Sequence, residues 1–462
     1  MSRFLFVRRL ILPNLGLILL SFVVASLWLG GGASRADALG QSLVRAVSTL
    51  TLIALIFSGR RPNLIGMRPV AYFLAAILSL VLIQLIPLPP ELWMSLPGRT
   101  PFAEAASLSG YPQPWRPIAI VPGGAVNAAA SLIVPITVLM LIACLNADER
   151  RRLPGLLLLA IVASAVLGVI QLAGTGIDNP LINEDVGLAS GMFANRNHSG
   201  LFIALGCMAA PVWAFMSAEQ RRWRIPVALG SVLLFVIMAV VGGSRVGLLL
   251  AAFGLCAGAV LVQHEIRKAI GPNRRWVYLA GGGGIVLLFG LLIAASVMSD
   301  RAVSIDRFMN SDITHDMRQR SFPTLMNMIW AYFPVGSGFG GFDQMFRFHE
   351  PLALLKPTYF NHAHNDLVEV VLDGGLASLL LMVAAALWWL RASIGAWFAS
   401  PGDAMLPRLG SAMLLFVAIA SAFDYPARTP MMMAVIVIAA IWLAQRPKSR
   451  PGTALPTPGQ PL

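Results

Sequence analysis

The residues of this chain with the clearest capacity for chemistry lie in one short stretch that ends at a pair of glycines. The stretch contains His362 and His364 together with the acids Asp366, Glu369 and Asp373. If a helix begins by His362, that residue and the three acids share one face, at spacings of three and four residues. A histidine beside a carboxylate can act as a general base, because the carboxylate orients the ring and stabilises its protonated form. The stretch therefore predicts a proton-transferring site.

Two other interpretations compete with this one. Asn365 or Asp366 could cap a helix, with the acids complementing its N-terminal dipole, but this accounts for only part of the group. The His-x-His spacing of His362 and His364 could hold a divalent metal, although the sequence offers no clear distant third ligand. We therefore expect a catalytic cluster that binds no metal.

Three arginines near the ends of apolar segments could bind an anion beside this cluster. They are Arg196, Arg245 and Arg318. An arginine at a helix end often only extends its charge to the membrane surface, so each of these arginines alone is weak evidence for anion binding. As a set they offer planar forks that suit a diphosphate. The polar residues that flank the first arginine are Asn195, Asn197 and His198.

The composition shows what kind of elements must position these side chains. Of 462 residues, 57% are hydrophobic and only 12% are charged, which is far too apolar for a soluble protein of this length. The net charge of +13 comes largely from basic clusters between apolar runs, so it indicates membrane topology and anionic headgroups rather than nucleic acid. The fold class is therefore an all-α integral membrane protein.

Apolar runs long enough to cross a bilayer divide the chain into about twelve transmembrane helices. We place them at 11–29, 43–57, 69–88, 126–145, 154–173, 199–216, 226–241, 245–262, 277–298, 366–390, 408–423 and 431–444. Residues 1–445 then form one polytopic membrane domain, and residues 446–462 form a disordered cytoplasmic tail. Most of the 34 Lys and Arg fall in alternate loops, which predicts that both termini are cytoplasmic.

The longest segment between spans, residues 299–365, lies between helices 9 and 10 and is predicted to be periplasmic. A loop of this length should fold and carry function. Apolar residues at helical spacing predict an amphipathic helix over 321–333, with Ser321 as its N-cap and Pro323 in its first turn. The glycine-rich residues 336–341 match a nucleotide-binding pattern without its βαβ setting, so we expect a flexible turn there.

These motifs and their order resemble those of the superfamily of bacterial O-antigen ligases and Wzy-type polysaccharide polymerases. The resemblance covers residues 188–380 and the large loop late in the chain. The matching elements are Phe193-x-Asn195-x-Asn197, Ser244-Arg245, Arg318 followed by Pro334-x-Gly336-x-Gly338, and His364-Asn365 with Gly375 nine residues further on. Two positions depart from the pattern. Ser378 replaces a second glycine of many ligases, and Arg320 competes with Arg318 as the motif arginine.

The resemblance implies a GT-C-like glycosyltransferase that acts on the periplasmic face of the inner membrane. Its donor would be a glycan on undecaprenyl diphosphate, and its acceptor lipid A-core or another glycan, with no cofactor. His364 would deprotonate the acceptor, aided by His362 or Asp366, whereas Asn365 and Glu369 would support the site. The diphosphate would be held by Arg245, Arg318 or Arg320, and Arg196. A multi-pass transporter with a proton relay of histidines and acids is the competing class.

Overall fold

The computed structural model describes residues 14–174, 179–182, 189–270, 317–355, 360–400 and 404–445, together with Gly283, Gly284 and Gly290. Almost all of the regular structure in these ranges is helical. The only sheet in them is a two-stranded antiparallel ribbon of β1 (Pro87–Leu88) and β2 (Arg116–Pro117), which pairs Leu88 with Arg116. The prediction of an all-α architecture is therefore confirmed.

Seventeen α-helices follow one another along the described chain. They are α1 (Leu15–Gly30), α2 (Leu39–Phe57), α3 (Arg68–Ile83), α4 (Pro90–Met94), α5 (Thr100–Leu108), α6 (Pro122–Ser131), α7 (Ile133–Cys144), α8 (Ala147–Arg151), α9 (Leu153–Leu172), α10 (Arg196–Phe215), α11 (Arg221–Val241), α12 (Arg245–Ile270), α13 (Met317–Tyr332), α14 (Phe342–His349), α15 (Asp366–Phe398), α16 (Met405–Ser421) and α17 (Pro430–Ala444). Short 3-10 turns cover Ile65–Met67, Leu352–Leu354 and Pro426–Arg428.

Eight helical segments of the described chain are long and apolar enough to cross a membrane, and α1, α16 and α17 are shorter apolar helices. Each predicted span overlaps one of these helices, except the ninth, at 277–298. That span lies outside the described residues, apart from three glycines. The chain is thus a mostly helical protein with several helices suited to a bilayer.

The centre of the bundle is α10, most of whose residues are buried. Close packing against α12 depends on small residues, because a Cβ added at Gly200 would lie 2.7 Å from the Cα of Gly247. The first residues of α10 follow Asn195, whose side chain accepts a hydrogen bond from the backbone of Asn197 and caps the helix. The core of the bundle therefore fixes where the predicted motif at 195–198 lies.

The part of the long loop that the structure describes is folded, as expected, but its helix differs from the prediction. Because α13 is already helical at Met317, Ser321 is a buried residue within it rather than its N-cap, and Pro323 lies beyond the first turn. The predicted cap was therefore wrong. Trp330, near the end of this helix, is 77% exposed.

The glycine-rich residues 336–341 form a bonded turn, so the prediction of a flexible one was wrong. The backbone N–H groups of Ser337 and Gly338 donate to the carbonyls of Leu372 and Asp373, at 2.9 Å each. The side chain of Gln84 donates to the Asp373 carbonyl at 2.9 Å and accepts from the Phe339 N–H at 3.0 Å. This turn is thereby fixed against α15.

Candidate active site

Three segments meet at one end of the bundle, which we call the His364 end. They are the start of α10, the residues that lead into α15, and the connection from α16 to α17. The amide of Asn365 donates to the Ala422 carbonyl at 3.0 Å, and the backbone N–H of Asp366 donates to the Asp424 carbonyl at 3.2 Å. These bonds bring residues far apart in the sequence into one polar centre.

Asp424 is the hub of this centre. Its carboxylate lies 3.1 Å from Nδ1 of His364, and it accepts hydrogen bonds from the side-chain amides of Asn195 at 3.1 Å and Asn197 at 2.5 Å. The guanidinium of Arg318 lies 3.6 Å from the same carboxylate, and its Nη1 donates to the Phe423 carbonyl at 2.9 Å. Four residues that the sequence analysis marked as candidates therefore surround the carboxylate of Asp424, which the sequence analysis did not mark. They are His364, Asn195, Asn197 and Arg318.

The charge of Asp424 is strongly stabilised. Only 4% of its side chain is exposed, and burial by itself would raise its pKa. The hydrogen bond to His364 and the nearby charge of Arg318 outweigh burial and hold the pKa of Asp424 well below its usual range. Asp424 is therefore an anion at neutral and mildly acidic pH, and it can orient and stabilise a protonated His364.

A second histidine–carboxylate pair lies beside the first. Nδ1 of His362 is 2.9 Å from Oε1 of Glu369, whose other oxygen accepts from the Ala363 N–H at 2.7 Å. The ring of Tyr425 contacts both histidines, with centroids 4.5 Å from His362 and 4.8 Å from His364. Burial, followed by the neighbouring Asp424 charge, raises the pKa of Tyr425 to about 12, so its hydroxyl stays protonated.

The helical stripe expected from His362 to Asp373 does not form in that way. Helix α15 begins only at Asp366, with Asn365 as its N-cap, whose side chain accepts from the Val368 N–H at 3.1 Å. His362 therefore precedes the helix and reaches Glu369 because the chain folds back. His364 has a left-handed backbone, with φ of 51°, at this reversal.

The three acids of α15 gather around Arg428. Its guanidinium lies 3.2 Å from Asp366, 3.2 Å from Glu369 and 3.5 Å from Asp373, with 18% of its side chain exposed. Although burial opposes its charge, these carboxylates raise the pKa of Arg428 above the usual value. Asp366 also accepts from Ser421 and from the Ala427 N–H. Its carboxylate is thus bonded within the Arg428 cluster and not to His364, whereas we had expected Asp366 or His362 to aid that histidine.

The motif at 195–198 contacts the Ser244-Arg245 element. The hydroxyl of Ser244 donates to the side-chain carbonyl of Asn197 at 2.9 Å and caps the turn by accepting from the Gly247 N–H at 2.9 Å. Arg245 follows at the start of α12 and is half-buried. Within the described ranges its side chain makes no hydrogen bond or ion pair. Arg196, also half-buried, begins α10 beside them.

His198 is 1% exposed, and its Nε2 lies 3.9 Å from Asp424. Among the described residues neither ring nitrogen has a hydrogen-bond partner. A cavity of about 10 Å³ adjoins His198, Asn197 and Asp424, which is room for about one water molecule. His198 therefore lines the polar centre without being bonded to it.

The structure separates the two competing arginines. Arg318 faces Asp424, whereas Arg320 is exposed and its Nη2 donates to the Ala353 carbonyl at 2.7 Å. Residues two positions apart on a helix differ by about 200° in direction, so only one of these two arginines can face the site. The geometry favours Arg318 as the arginine of the motif.

The backbone conformation explains why the family motif has a glycine at position 375. Gly375 interrupts α15 with φ of 58°, and a Cβ there would lie 2.1 Å from the Pro334 carbonyl oxygen, which accepts from the Leu376 N–H at 2.8 Å. Ser378, where the family pattern often has a second glycine, is buried against Gly374.

Sequence reasoning missed Asp424, Tyr425 and Arg428. The only available signal was a pair of opposite charges in a short connection between two apolar helices. In the described residues no three histidine, cysteine or acidic side chains are grouped so as to hold a metal ion. The acids of α15 instead surround a guanidinium.

Comparison with known families supports the resemblance drawn from the motifs. The family model described as O-antigen ligase matches residues 229–383. This region includes Ser244, Arg245, Arg318, His364 and Gly375, so the resemblance to the O-antigen ligase and Wzy-type superfamily is confirmed there. No curated protein matches the chain.

Proposed function

We propose that this O-antigen ligase-related chain is a glycosyltransferase that moves a glycan from undecaprenyl diphosphate to an acceptor hydroxyl. The acceptor is lipid A-core if the protein is a ligase, or another lipid-linked glycan if it is a polymerase. The observation that carries the proposal is the His364–Asp424 pair, at 3.1 Å, with Arg318 on the same carboxylate. This arrangement places a base beside a cation, which is what transfer from a diphosphate requires.

In this mechanism His364 is the general base. Because its Nδ1 bonds to Asp424, the proton of the neutral ring is held at Nδ1, and Nε2 accepts the proton of the acceptor hydroxyl. The acceptor oxygen then forms a bond to the anomeric carbon, and the bond from that carbon to the diphosphate oxygen breaks. The electron pair of the broken bond goes to the diphosphate, and Asp424 stabilises the protonated ring.

The charge that develops on the diphosphate is offset by arginines. We assign this role to Arg318 and Arg245, with Arg196 as a further contact, since each lies at the His364 end of the bundle. These cations supply the positive charge that a divalent metal provides in other transferases, so the proposed reaction needs no metal. The supporting residues Asn195, Asn197, Asn365 and Glu369 hold the base and its partner in place through hydrogen bonds, and His198 lines the same centre.

The distribution of arginines also supports a location. We propose that the protein lies in the bacterial inner membrane with both termini cytoplasmic and the His364 end on the periplasmic face. The apolar helices then hold the polyprenyl chain of the donor.

The proposal predicts transfer by the protein alone. Purified protein in vesicles, given lipid-linked glycan and acceptor, should form product without an ion gradient and in the presence of EDTA, as seen by a mass shift of the acceptor. His364→Ala protein serves as the blank. If no product formed under any of these conditions, the result would count against the transferase and for the transporter. Loss of product in EDTA, restored by a divalent ion, would favour the His-x-His metal site.

The arginine assignment predicts a second set of results. Arg318→Ala and Arg245→Ala should each weaken donor binding and turnover by roughly 10- to 100-fold, because a charge-assisted contact contributes ~1.5–3 kcal/mol. Lysine at either position should restore only part of this, since it keeps the charge but loses the planar fork. Donor binding and turnover should be measured together for each variant.

Arg320→Ala is the matched control for Arg318→Ala, because Arg320 is two residues away and bonds to the Ala353 carbonyl. It should remain close to the unchanged protein in both measurements. If Arg320→Ala lost donor binding while Arg318→Ala kept it, the two assignments would be reversed.

A further inference from the structure

An arginine lies within a membrane-spanning helix that contributes nothing to the His364 site. Arg45 is six residues into α2, about 9 Å along its axis from Leu39. That end of α2 is at the His364 end of the bundle, because the Gly31 carbonyl in the connection before α2 accepts from the Met431 N–H, just after the Asp424 connection. Arg45 is therefore at membrane depth, on the same side as the proposed active site.

Arg45 has only neutral partners. Its Nη1 donates to the side-chain oxygen of Asn127 on α6 at 2.8 Å, and its Nη2 donates to that of Gln41 at 3.3 Å. Its Nε is buried and has no partner among the described residues, where no carboxylate lies within 4 Å of its guanidinium either. By contrast, Arg35 at the same end of the bundle pairs with Asp37. The charge of Arg45 is thus uncompensated by this part of the protein.

The surroundings of Arg45 are ordered as a binding site would be. Gln41 is 2% exposed and is fixed by donating to the Ala33 carbonyl at 2.6 Å. Because Asn127 accepts from Arg45 through its oxygen, its amide N–H groups are oriented as additional donors. An arginine fork and an amide next to each other match the oxygens of a phosphate.

The depth of Arg45 in the membrane, and the cost of an unpaired charge there, indicate which anion would bind to it. An unpaired charge inside a bilayer is costly, so a membrane arginine is normally neutralised or directed to the surface. The bond to Gln41, one turn nearer the end of α2, directs the guanidinium of Arg45 toward the headgroup layer. The anions at that depth are the phosphates of lipids.

We propose that Arg45 and Asn127 bind the phosphate of a lipid in the leaflet at the His364 end. The site is formed by α2 and α6, so it is separate from the arginines assigned to the donor diphosphate. It depends on α2 crossing the membrane and not on the proposed transfer reaction.

The test is native mass spectrometry of the full chain in a neutral detergent, with phosphatidylglycerol as the probe. Diacylglycerol, which lacks the phosphate, and inorganic phosphate are the other two arms. The unchanged protein should retain phosphatidylglycerol and neither of the others. Arg45→Gln should bind it roughly tenfold or more weakly, and Asn127→Ala should show a smaller loss.

Arg35→Gln is the matched control and should bind phosphatidylglycerol like the unchanged protein, since Arg35 already has a carboxylate partner. Arg45→Lys, which keeps the charge and is the milder change for folding, should bind with intermediate affinity. Equal binding by Arg45→Gln and the unchanged protein would overturn the proposal, as would equal retention of diacylglycerol. Retention of inorganic phosphate instead would show that the ligand is a free anion, and would overturn the lipid assignment.

Discussion

Replacing His364 by Ala should lower glycan transfer by roughly 10²–10⁴-fold, the usual contribution of a general base, while donor binding survives. The substitution removes a proton acceptor but no cation, so the diphosphate keeps its contacts. Asp424→Asn should also lose turnover, because an amide cannot stabilise a protonated His364 as the carboxylate does. Turnover and donor binding should be measured on the same preparation of each variant.

The pH dependence of this effect follows from the pKa of Asp424. Since the fold holds this pKa below its usual range, the carboxylate is protonated only when the pH falls through that low value. Asp424 therefore stays charged at neutral and mildly acidic pH. The loss in Asp424→Asn should accordingly be present throughout that range.

His349→Ala is the control for His364→Ala. His349 is also partly buried, but its Nε2 bonds to the hydroxyl of Tyr332 at 2.7 Å and not to a carboxylate. It should keep most of the turnover. Near-normal transfer by His364→Ala would remove this histidine from the mechanism.

Arg428→Met should destabilise the protein by about 3–5 kcal/mol, the cost of removing one partner from a buried ion cluster. Asp366, Glu369 and Asp373 would then repel one another without a cation between them. Because Glu369 also holds His362 and the Ala363 N–H, turnover should fall together with stability. Thermal unfolding in detergent and turnover at a low temperature are the measurements.

A charge-balanced variant separates this cluster from simple loss of packing. Arg428→Met combined with Asp373→Asn removes one carboxylate as well as the cation, so it should recover part of the stability lost in Arg428→Met. Arg408→Met is the matched control, because Arg408 donates only to the carbonyls of Ala396, Trp397 and Ala399. If Arg428→Met were no less stable than Arg408→Met, the cluster would not be a stabilising one.

Features that depend on neighbouring residues could be predicted from the sequence. Asn365 was one of two proposed caps of α15, and its side chain accepts from the Val368 N–H three residues ahead. The helix around Leu325 was predicted from apolar spacing, yet its start was not. Ser321 looks like an N-cap in isolation, but it is buried within α13, where tertiary packing overrides a local preference.

The sequence could not decide whether Arg318 or Arg320 faces the site. Both arginines fit the spacing of the motif, and their separation requires them to point in different directions. Which of them faces Asp424 depends on the rotation of α13 about its axis, and packing sets that rotation. A sequence does not specify it.

By itself, the sequence determined the membrane class, most of the helices and the stretch from His362 to Glu369. Hydrophobic length and helix capping are local properties, so they can be read within some twenty residues. Only the tertiary structure decided that His364 pairs with Asp424, sixty residues away, and that Arg428 neutralises the acids of α15. Such pairings arise when α16 and α17 pack against the start of α15, and no spacing along the chain encodes the distance between their ends.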